Sequence, residues 1–314
     1  MGKLAFVFPG QGAQTVGMGK DFWEKYDVAK RLFKEADEAL GYSISKMCFE
    51  GPAEDLQLTA NTQPAILTMS VITNEILKEE GAPTPDVAGG HSLGEYSALV
   101  AAGVLSFQDA VVLVHKRGQY MQEAVPVGEG GMAAIIGLSD DVIVDACKKA
   151  ESEGAVQAVN FNCPGQTVIA GTTKGVEKAV ELLKEAGAKK AVILPVSAPF
   201  HSTLMQPAAE KLAEELNSVK FNDALFPVAA NFTGGLQTKA AEIKENLVKQ
   251  AANPVKWIDC VKTMQELGAD IFVEVGPGKT LCGFNRRIDK AIKSLNVENI
   301  ESLEKVLDYF KEAR

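Results

Sequence analysis

The chain has 314 residues, of which 46% are hydrophobic and 23% are charged, and this composition is typical of a folded globular protein rather than a disordered one. Its formal net charge of −9 at pH 7 argues against a nucleic-acid-binding protein, because binding phosphates requires a basic surface. No apolar run approaches the length of about 18 residues that a membrane-spanning helix needs, so we expect no membrane contact.

The five cysteines predict buried thiols in a reducing compartment rather than disulfides or metal ligands. Their number is odd, no pair has Cys-x-x-Cys spacing, and none of the three histidines lies near them at zinc-site spacing. The first residues form a short apolar stretch that breaks at Pro9, which indicates a strand and not a secretion signal. We therefore expect a cytoplasmic protein without a metal site.

The first 127 residues alternate short apolar runs with longer stretches of helical periodicity. In chain order, this pattern predicts a strand at 4–8, helices at 21–40 and 64–80, a strand at 86–89, and helices at 95–102 and 107–123. Gly41, Gly81 and Gly103 are placed to end three of these helices, and Ser106 is a natural N-cap for the last one.

The sequence changes character after Pro126, where the glycine-rich stretch 128–131 predicts a linker. The elements predicted after it are a strand at 132–136, a helix at 139–152, strands at 156–161 and 166–170, a helix at 173–186 and a strand at 190–196. This β-α-β-β-α-β order is typical of a ferredoxin-like unit. We therefore predict a small inserted domain at residues 128–197.

The chain on either side of this insert is predicted to form one larger domain, residues 1–127 and 198–314. Its later part has helical periodicity at 205–216 and 239–250 and strand-like apolar runs at 226–231 and 271–275. Because strands and helices alternate, we expect a parallel sheet with helices on both faces. The predicted fold class is therefore α/β, a parallel-sheet domain carrying a small ferredoxin-like α+β domain.

Residues 90–94 read Gly-His-Ser-Leu-Gly, the pattern of a serine on a sharp turn between a strand and a helix. Glycines stand on both sides of such a serine because the tight turn leaves no room for side chains there. The motif follows the strand predicted at 86–89 and precedes the helix predicted at 95–102, which is the context that the pattern requires. Ser92 is therefore a candidate nucleophile.

A serine nucleophile needs a base, and the chain offers three histidines. The ring of His91 should point away from Ser92 if the turn is sharp, and the position of His115 in the middle of a predicted helix favours a packing or surface histidine. His201 follows the predicted insert on a loop, where catalytic residues concentrate, so it is the best candidate base by elimination. No carboxylate stands out as its partner, and a backbone carbonyl could hold the imidazole tautomer instead.

Two further features each allow a structural and a functional interpretation. The glycine-rich residues 10–14 follow the first strand, but they fit neither the dinucleotide-binding nor the phosphate-loop pattern, and a surface turn is favoured. Arg117 lies in a mainly apolar helix, where an arginine usually extends to solvent or pairs with a carboxylate. Alternatively, its guanidinium could bind a substrate carboxylate through two parallel hydrogen bonds.

Taken together, these motifs resemble the malonyl-CoA:acyl carrier protein transacylases and the acyltransferase domains of polyketide synthases. The matching stretches are residues 8–14, 62–65, 90–99, 117–122 and 159–166, His201, and residues 253–257 and 274–279. They span nearly the whole chain in the expected order, and their joint presence is much more specific than any single motif. The resemblance implies a hydrolase-like α/β domain with a ferredoxin-like insert.

The resemblance also implies the residues that carry the chemistry. Ser92 would hold the acyl group as an ester, and His201 would act as general base and acid. The main-chain carbonyl of Gln250 would orient His201, which accounts for the missing acidic partner. The backbone N–H groups of Gln11 and Leu93 would form the oxyanion hole.

The substrate pocket implied by the resemblance centres on an arginine. Arg117 would pair with the free carboxylate of a malonyl group and so select against neutral acyl groups. The bulky ring of Phe200 would crowd a methyl branch and favour malonyl over methylmalonyl groups. The other implied pocket residues are Gln63, His91, Met121, Asn160 and Asn162, with the two asparagines near the channel for the pantetheine arm.

The implied reaction is a ping-pong transfer of malonyl from malonyl-CoA to the phosphopantetheine thiol of acyl carrier protein, through a malonyl-serine ester, in fatty acid biosynthesis. Malonyl-CoA is a substrate, so no cofactor is expected, and we expect a monomer that binds neither nucleic acid nor membrane. Two rival functions stay open, a serine esterase or thioesterase and a non-catalytic module that docks on carrier proteins. Arg117 and the lack of an acidic partner argue against the first, and the Ser92–His201 pair argues against the second.

Overall fold

In the computed structural model, which describes residues 2–196 and 198–312, the chain forms two sheets that are each covered by helices. The first part contains β1 (Lys3–Phe8), α1 (Lys20–Lys25), α2 (Asp27–Leu40), α3 (Ile44–Glu50), α4 (Ala53–Gln57), α5 (Thr59–Glu79), β2 (Val87–Gly90), α6 (Leu93–Ala101) and α7 (Phe107–Glu123). The middle part contains β3 (Gly130–Ile136), α8 (Asp140–Ala150), β4 (Val156–Cys163), β5 (Gln166–Thr172), α9 (Thr173–Glu185) and β6 (Lys190–Ile193). The last part contains a 3₁₀ turn (Thr203–Met205), α10 (Gln206–Ser218), β7 (Val228–Ala229), β8 (Leu236–Gln237), α11 (Ala240–Ala251), α12 (Trp257–Glu266), β9 (Ala269–Val275), α13 (Thr280–Ile288), β10 (Lys293–Val297) and α14 (Ile300–Glu312).

The larger sheet places the ends of β1 and β2 side by side. Its strand order is β10-β9-β1-β2-β7-β8, and neighbouring strands are parallel except for the short β7-β8 pair. Phe8, the last residue of β1, pairs with Gly90, the last residue of β2. The glycine-rich loop after β1 and the serine turn after β2 therefore emerge together at the carboxyl edge of the sheet, where α/β proteins bind ligands.

Both faces of this sheet are buried, and β1 shows why. Leu4, Phe6 and Phe8 pack on one face with the helices α2, α5, α6 and α7, whereas Ala5 and Val7 pack on the other face with α12 and α13. Successive side chains of a strand point to opposite faces, so a strand covered on both sides has to be apolar throughout.

The smaller sheet is antiparallel, with strand order β4-β5-β3-β6 and with α8 and α9 packed against it around a core of its own. The chain order β3-α8-β4-β5-α9-β6 and this strand order are those of a ferredoxin-like unit. The edge strand β4 is tied to the larger domain, because Val255 N donates to Val159 O at 2.8 Å and Phe161 N donates to Val255 O at 3.0 Å. The predicted fold class is thereby confirmed, while the boundaries of the predicted insert stay a prediction and its last residue, Ser197, lies outside the described residues.

The predicted start of the helix at Pro64 is wrong. The helix α5 begins five residues earlier, at Thr59, and contains Pro64 in its interior. A proline at this position cannot donate to the carbonyl of Ala60, four residues before it. That carbonyl instead accepts from His115 Nδ1 at 2.7 Å, so the helix continues through the proline. The same contact gives His115 the first of the two roles left open by the sequence, packing between helices rather than a free surface position.

Other predicted elements also change in extent. The single helix predicted at 21–40 is two helices, α1 and α2, because Tyr26 is extended with φ −117° and ψ 128°. The strand predicted at 226–231 narrows to Val228–Ala229. The short helices α3 and α4 were not predicted, and both are too short for a clear periodic pattern.

The five cysteines are free and buried, as expected of structural thiols. Within residues 2–196 and 198–312, no helix combines the length and the apolar character needed to cross a membrane. In the same described ranges, no three histidine, cysteine or acidic side chains cluster in a way that could hold a metal ion.

Candidate active site

The serine motif forms a strained turn between β2 and α6. Ser92 has φ 53° and ψ −108°, a conformation that side-chain-bearing residues rarely adopt and that costs about 1–3 kcal/mol. A Cβ atom at Gly90 would collide with the backbone of Gly94, and one at Gly94 would collide with the carbonyl of Phe8. The two glycines are therefore required because the backbone segments touch, as the motif predicted.

Ser92 and His201 form a hydrogen-bonded pair. Ser92 Oγ lies 2.7 Å from His201 Nε2, and His201 Nδ1 lies 2.9 Å from the main-chain carbonyl oxygen of Gln250. Because a carbonyl oxygen only accepts, Nδ1 carries the proton and Nε2 is left to accept from the serine hydroxyl. Burial, with the nearby Arg117 cation as the second cause, lowers the pKa of His201 to about 3. The imidazole is therefore neutral at pH 7 and able to accept a proton.

Arg117 is buried beside the candidate nucleophile. Its side chain on α7 is 1% exposed, which excludes the interpretation that it extends to solvent. Its Nη1 donates to Gln63 Oε1 at 2.7 Å, and its Nη2 donates to Gln250 Oε1 at 2.9 Å and to Ser92 Oγ at 3.2 Å. Burial lowers the pKa of Arg117, but a guanidinium stays protonated in proteins. The result is a fixed positive charge in contact with the serine oxygen.

A cavity of about 430 Å³ opens onto this cluster. It is lined by most of the residues that the sequence predicted for the site, namely Gln11, Gln63, His91, Ser92, Leu93, Arg117, Met121, Asn160, Phe200 and His201. Gly12, Gln14 and Gln57 also line it, and Met132 of β3 and residues 194–196 beyond β6 form the opposite wall, so the cavity lies between the two sheets. A second cavity, of about 540 Å³, is lined by Lys256, Lys262 and neighbouring residues and contains none of the predicted site residues.

Two predicted pocket residues, His91 and Asn162, form a pair. His91 Nε2 lies 2.7 Å from Asn162 Oδ1, and the imidazole sits against the rings of Trp257 and Phe284 with centroid distances of 5.8 and 6.4 Å. Because the amide oxygen of Asn162 only accepts, His91 Nε2 donates this hydrogen bond, and burial lowers the pKa of His91. His91 thus lines the cavity while bonded away from the Ser92–His201 pair, and Asn162 stands behind it, outside the cavity lining.

Glu95, a buried carboxylate in the first turn of α6, lies next to the serine turn and was not predicted. Its side chain on α6 is fully buried and accepts hydrogen bonds from Gln237 Nε2 at 2.7 Å, Gln250 Nε2 at 2.8 Å and the backbone N–H of Asn231 at 3.1 Å. Burial raises the pKa of Glu95 to about 7, although these hydrogen bonds and the charge of Arg117 act in the opposite direction. The signal in the sequence was a lone acidic residue in an apolar helix directly after the serine motif.

Asn231 was not predicted from the sequence either, and its side chain bonds to the backbone of the serine turn. Its Oδ1 accepts from Ser92 N at 2.7 Å, and its Nδ2 donates to Gly90 O at 2.7 Å. The side chain thereby satisfies backbone groups on both sides of the strained residue. Asn231 is 139 positions from Ser92 along the chain, and no local pattern could have singled it out.

Comparison with known proteins covers nearly the whole chain. Residues 5–309 match the family model described as the acyl transferase domain. A malonyl CoA-acyl carrier protein transacylase of Bacillus subtilis (strain 168) is 51% identical over 313 residues, which are 99% of this chain and 98% of that protein. The crystal structure of an acyl-carrier-protein S-malonyltransferase from Burkholderia pseudomallei 1710b is similar with a TM-score of 0.95 at 48% identity, covering 98% of this chain and 99% of that chain. A malonyl-transacylase solved in complex with its type II PKS acyl-carrier protein is similar with a TM-score of 0.96 at 44% identity, covering 98% of this chain and 99% of that chain.

Proposed function

The chain belongs to the acyl transferase domain family, and we propose that it transfers a malonyl group from malonyl-CoA to the phosphopantetheine thiol of an acyl carrier protein in fatty acid biosynthesis. The observation that carries this proposal is the 3.2 Å distance between Arg117 Nη2 and Ser92 Oγ. In a malonyl group the carboxylate carbon is only about 2.5 Å from the carbonyl carbon, since one methylene separates them. A cation that contacts the nucleophile therefore matches a short acyl group with a free carboxylate.

In the first half of the reaction, Ser92 gives its hydroxyl proton to His201 Nε2 while Ser92 Oγ attacks the carbonyl carbon of the malonyl thioester. The developing oxyanion would be bound by the backbone N–H groups of Leu93, at the first position of α6, and Gln11. Loss of one such donor typically lowers the rate about 10²–10³-fold. The carbon–sulfur bond then breaks, and the CoA sulfur leaves with the proton from His201, so that a malonyl-serine ester remains.

The second half reverses these steps with a different thiol. The phosphopantetheine thiol gives its proton to His201 and attacks the malonyl-serine ester, and His201 returns the proton to Ser92 Oγ as the ester bond breaks. His201 is suited to both halves because the carbonyl of Gln250 keeps the proton of the neutral ring on Nδ1. No carboxylate partner is needed for this task.

The same glutamine would link the base to substrate selection. Its carbonyl oxygen accepts from His201, while its side-chain Oε1 accepts from Arg117. Gln63 holds the other terminal nitrogen of the guanidinium, so the cation is aimed before substrate binds. A neutral acyl group would offer this cation no carboxylate in direct contact, which disfavours acetyl groups. The ring of Phe200 on the cavity wall would disfavour a methyl branch.

Mass spectrometry of the intact protein tests the proposal. After mixing with malonyl-CoA, the wild-type protein should gain the mass of one malonyl group on Ser92 and lose it when a holo acyl carrier protein is added. Ser92→Ala should gain no mass. An unmodified wild-type protein would overturn the proposal, and an ester that is lost to water as fast as to the carrier thiol would identify an esterase instead.

We further propose that the protein acts as a cytoplasmic monomer without a cofactor, with residues 128–197 as its inserted domain. A thioester already supplies an activated acyl group, and the acid–base groups come from the chain itself. Undiminished transfer in the presence of a metal chelator would support the absence of a metal cofactor. A sedimentation mass of one chain would support the monomer, and a dimer mass would contradict it.

A further inference from the structure

The buried carboxylate of Glu95 is connected to the substrate-binding arginine through a single amide. Gln250 Nε2 donates to Glu95 Oε2 at 2.8 Å, and Gln250 Oε1 accepts from Arg117 Nη2 at 2.9 Å. The amide of Gln250 is thus polarised by a negative charge at one end and a positive charge at the other. Glu95 therefore neutralises Arg117 across this amide.

The surroundings of Glu95 make Arg117 its charged partner. The titratable groups that face it are Arg117 on α7, the Cys260 thiol on α12 and the Tyr96 phenol on its own helix. Burial raises the pKa of the Cys260 thiol, and it raises the pKa of Tyr96 to about 12, so both are neutral at pH 7. Helix α11 contributes the uncharged amides of Gln250 and Asn246, β8 contributes that of Gln237, and the turn after β7 contributes that of Asn231.

We propose that Glu95 is an exchangeable counter-charge that sets the preference for carboxylated acyl groups: the acyl carboxylate replaces Glu95 as the partner of Arg117, and Glu95 then takes a proton from solvent. This inference rests on the proposed malonyl transfer. The physical reason is that two carboxylates and one guanidinium would leave a net negative charge in a buried site, which is costly. A neutral Glu95 leaves one buried ion pair, between Arg117 and the substrate.

The hydrogen bonds decide which oxygen takes the proton. Oε2 must remain an acceptor, because the backbone N–H of Asn231 cannot turn away. Within the described part of the chain, Oε1 accepts from the side-chain amide of Gln237, which can rotate by half a turn and present its oxygen instead. Asn246, which donates to Gln237 Oε1 at 2.9 Å and is 7% exposed, can follow by rotating its own amide. The protonated form of Glu95 therefore fits the site after two amide rotations. Because the pKa of Glu95 is about 7, this form is populated at neutral pH.

Glu95→Gln is a neutral mimic of the protonated acid, since its amide oxygen can take the Oε2 position and its NH₂ group the Oε1 position. The experiment measures kcat/KM for acylation of Ser92 by malonyl-CoA and by acetyl-CoA between about pH 6 and about pH 8. For the wild type, the malonyl-to-acetyl ratio should fall roughly five- to tenfold as the pH rises and Glu95 ionises. In Glu95→Gln the ratio should stay at its low-pH value throughout.

The matched control is Glu274→Gln, which also neutralises a fully buried carboxylate, one that accepts from Cys282 N at 2.8 Å at the start of α13. It should keep the wild-type pH dependence of the ratio. Using the ratio cancels any effect of pH that acts equally on both substrates.

Three results would overturn the inference. The first is a malonyl-to-acetyl ratio that does not change with pH in the wild type, and the second is the same pH dependence of this ratio in Glu95→Gln as in the wild type. The third is a malonyl-to-acetyl ratio that is lower in Glu95→Gln than in the wild type. The last would mean that the carboxylate only holds Arg117 in place. If the variant does not fold, the number of protons taken up by the wild type on malonylation, measured by calorimetry in two buffers, decides instead, and a value of zero at pH 8 overturns the inference. A wild type that is not malonylated at all would refute the proposed function rather than this step.

Discussion

The strained backbone of Ser92 should reverse the usual order of stability between alanine and glycine variants. Both Ser92→Ala and Ser92→Gly remove the hydroxyl and its contacts with His201 and Arg117, so their difference isolates the backbone. Alanine keeps a Cβ at φ 53° and ψ −108° and retains a strain of about 2 kcal/mol, within a range of about 1–3. Glycine relieves that strain and loses about 0.7 kcal/mol through its freer unfolded state. Ser92→Gly should therefore be the more stable by about 1 kcal/mol.

Urea denaturation of the two variants measures this difference. The matched control is the pair Ser97→Ala and Ser97→Gly, at a buried serine in the interior of the same helix. The backbone is helical there, so glycine should be less stable than alanine by about 1 kcal/mol. The prediction is thus a change of sign between two positions five residues apart in sequence.

A glycine variant that is less stable than the alanine variant at both positions would show that the backbone of Ser92 is not strained. The backbone of Ser92, at φ 53° and ψ −108°, would then store no strain that a glycine relieves. Activity does not enter this test, because both Ser92 variants lack the nucleophile.

Three other predictions follow from the contacts at the site. Arg117→Ala should lower the rate of malonyl loading about 10²–10³-fold and the rate of acetyl loading much less, because only the malonyl carboxylate loses its charged partner. Time courses of acylation measure both rates, and equal losses of the two rates would contradict the proposed role of Arg117. Asn231→Ala leaves Ser92 N–H and Gly90 C=O without their partner, and the free energy of unfolding measured in urea should fall by about 2–6 kcal/mol, whereas a fall below about 1 would be too small for two buried bonds. The pKa of His201 is about 3 in the folded protein and near its ordinary value of 6.5 in the unfolded chain, so between these values only the unfolded chain binds the proton and stability is lost as the pH falls. By pH 5 this loss should reach about 2 kcal/mol in the wild type and be absent from His201→Gln, and equal pH dependence in the two proteins would argue against the shifted pKa.

The sequence predicted the features that depend on neighbouring residues. The Gly-x-Ser-x-Gly pattern indicated the strand, turn and helix around Ser92, because only glycine fits where those backbone segments touch. The order of apolar runs between residues 132 and 196 predicted the ferredoxin-like unit, since strand and helix periods differ. The family resemblance, which rested on motifs spread along the chain, is confirmed by the match over residues 5–309.

The tertiary structure decided which groups surround the nucleophile. The hydrogen-bond partner of His201 is a backbone carbonyl, which every residue carries, so spacing and composition could not mark it and only the resemblance pointed to Gln250. Burial excluded one interpretation of Arg117, extension to solvent, and brought its guanidinium against Ser92. Asn231 and the carboxylate of Glu95 entered the site only once the fold closed over them, because amides and acids that are far apart in the chain leave no joint pattern until buried polar groups must find partners.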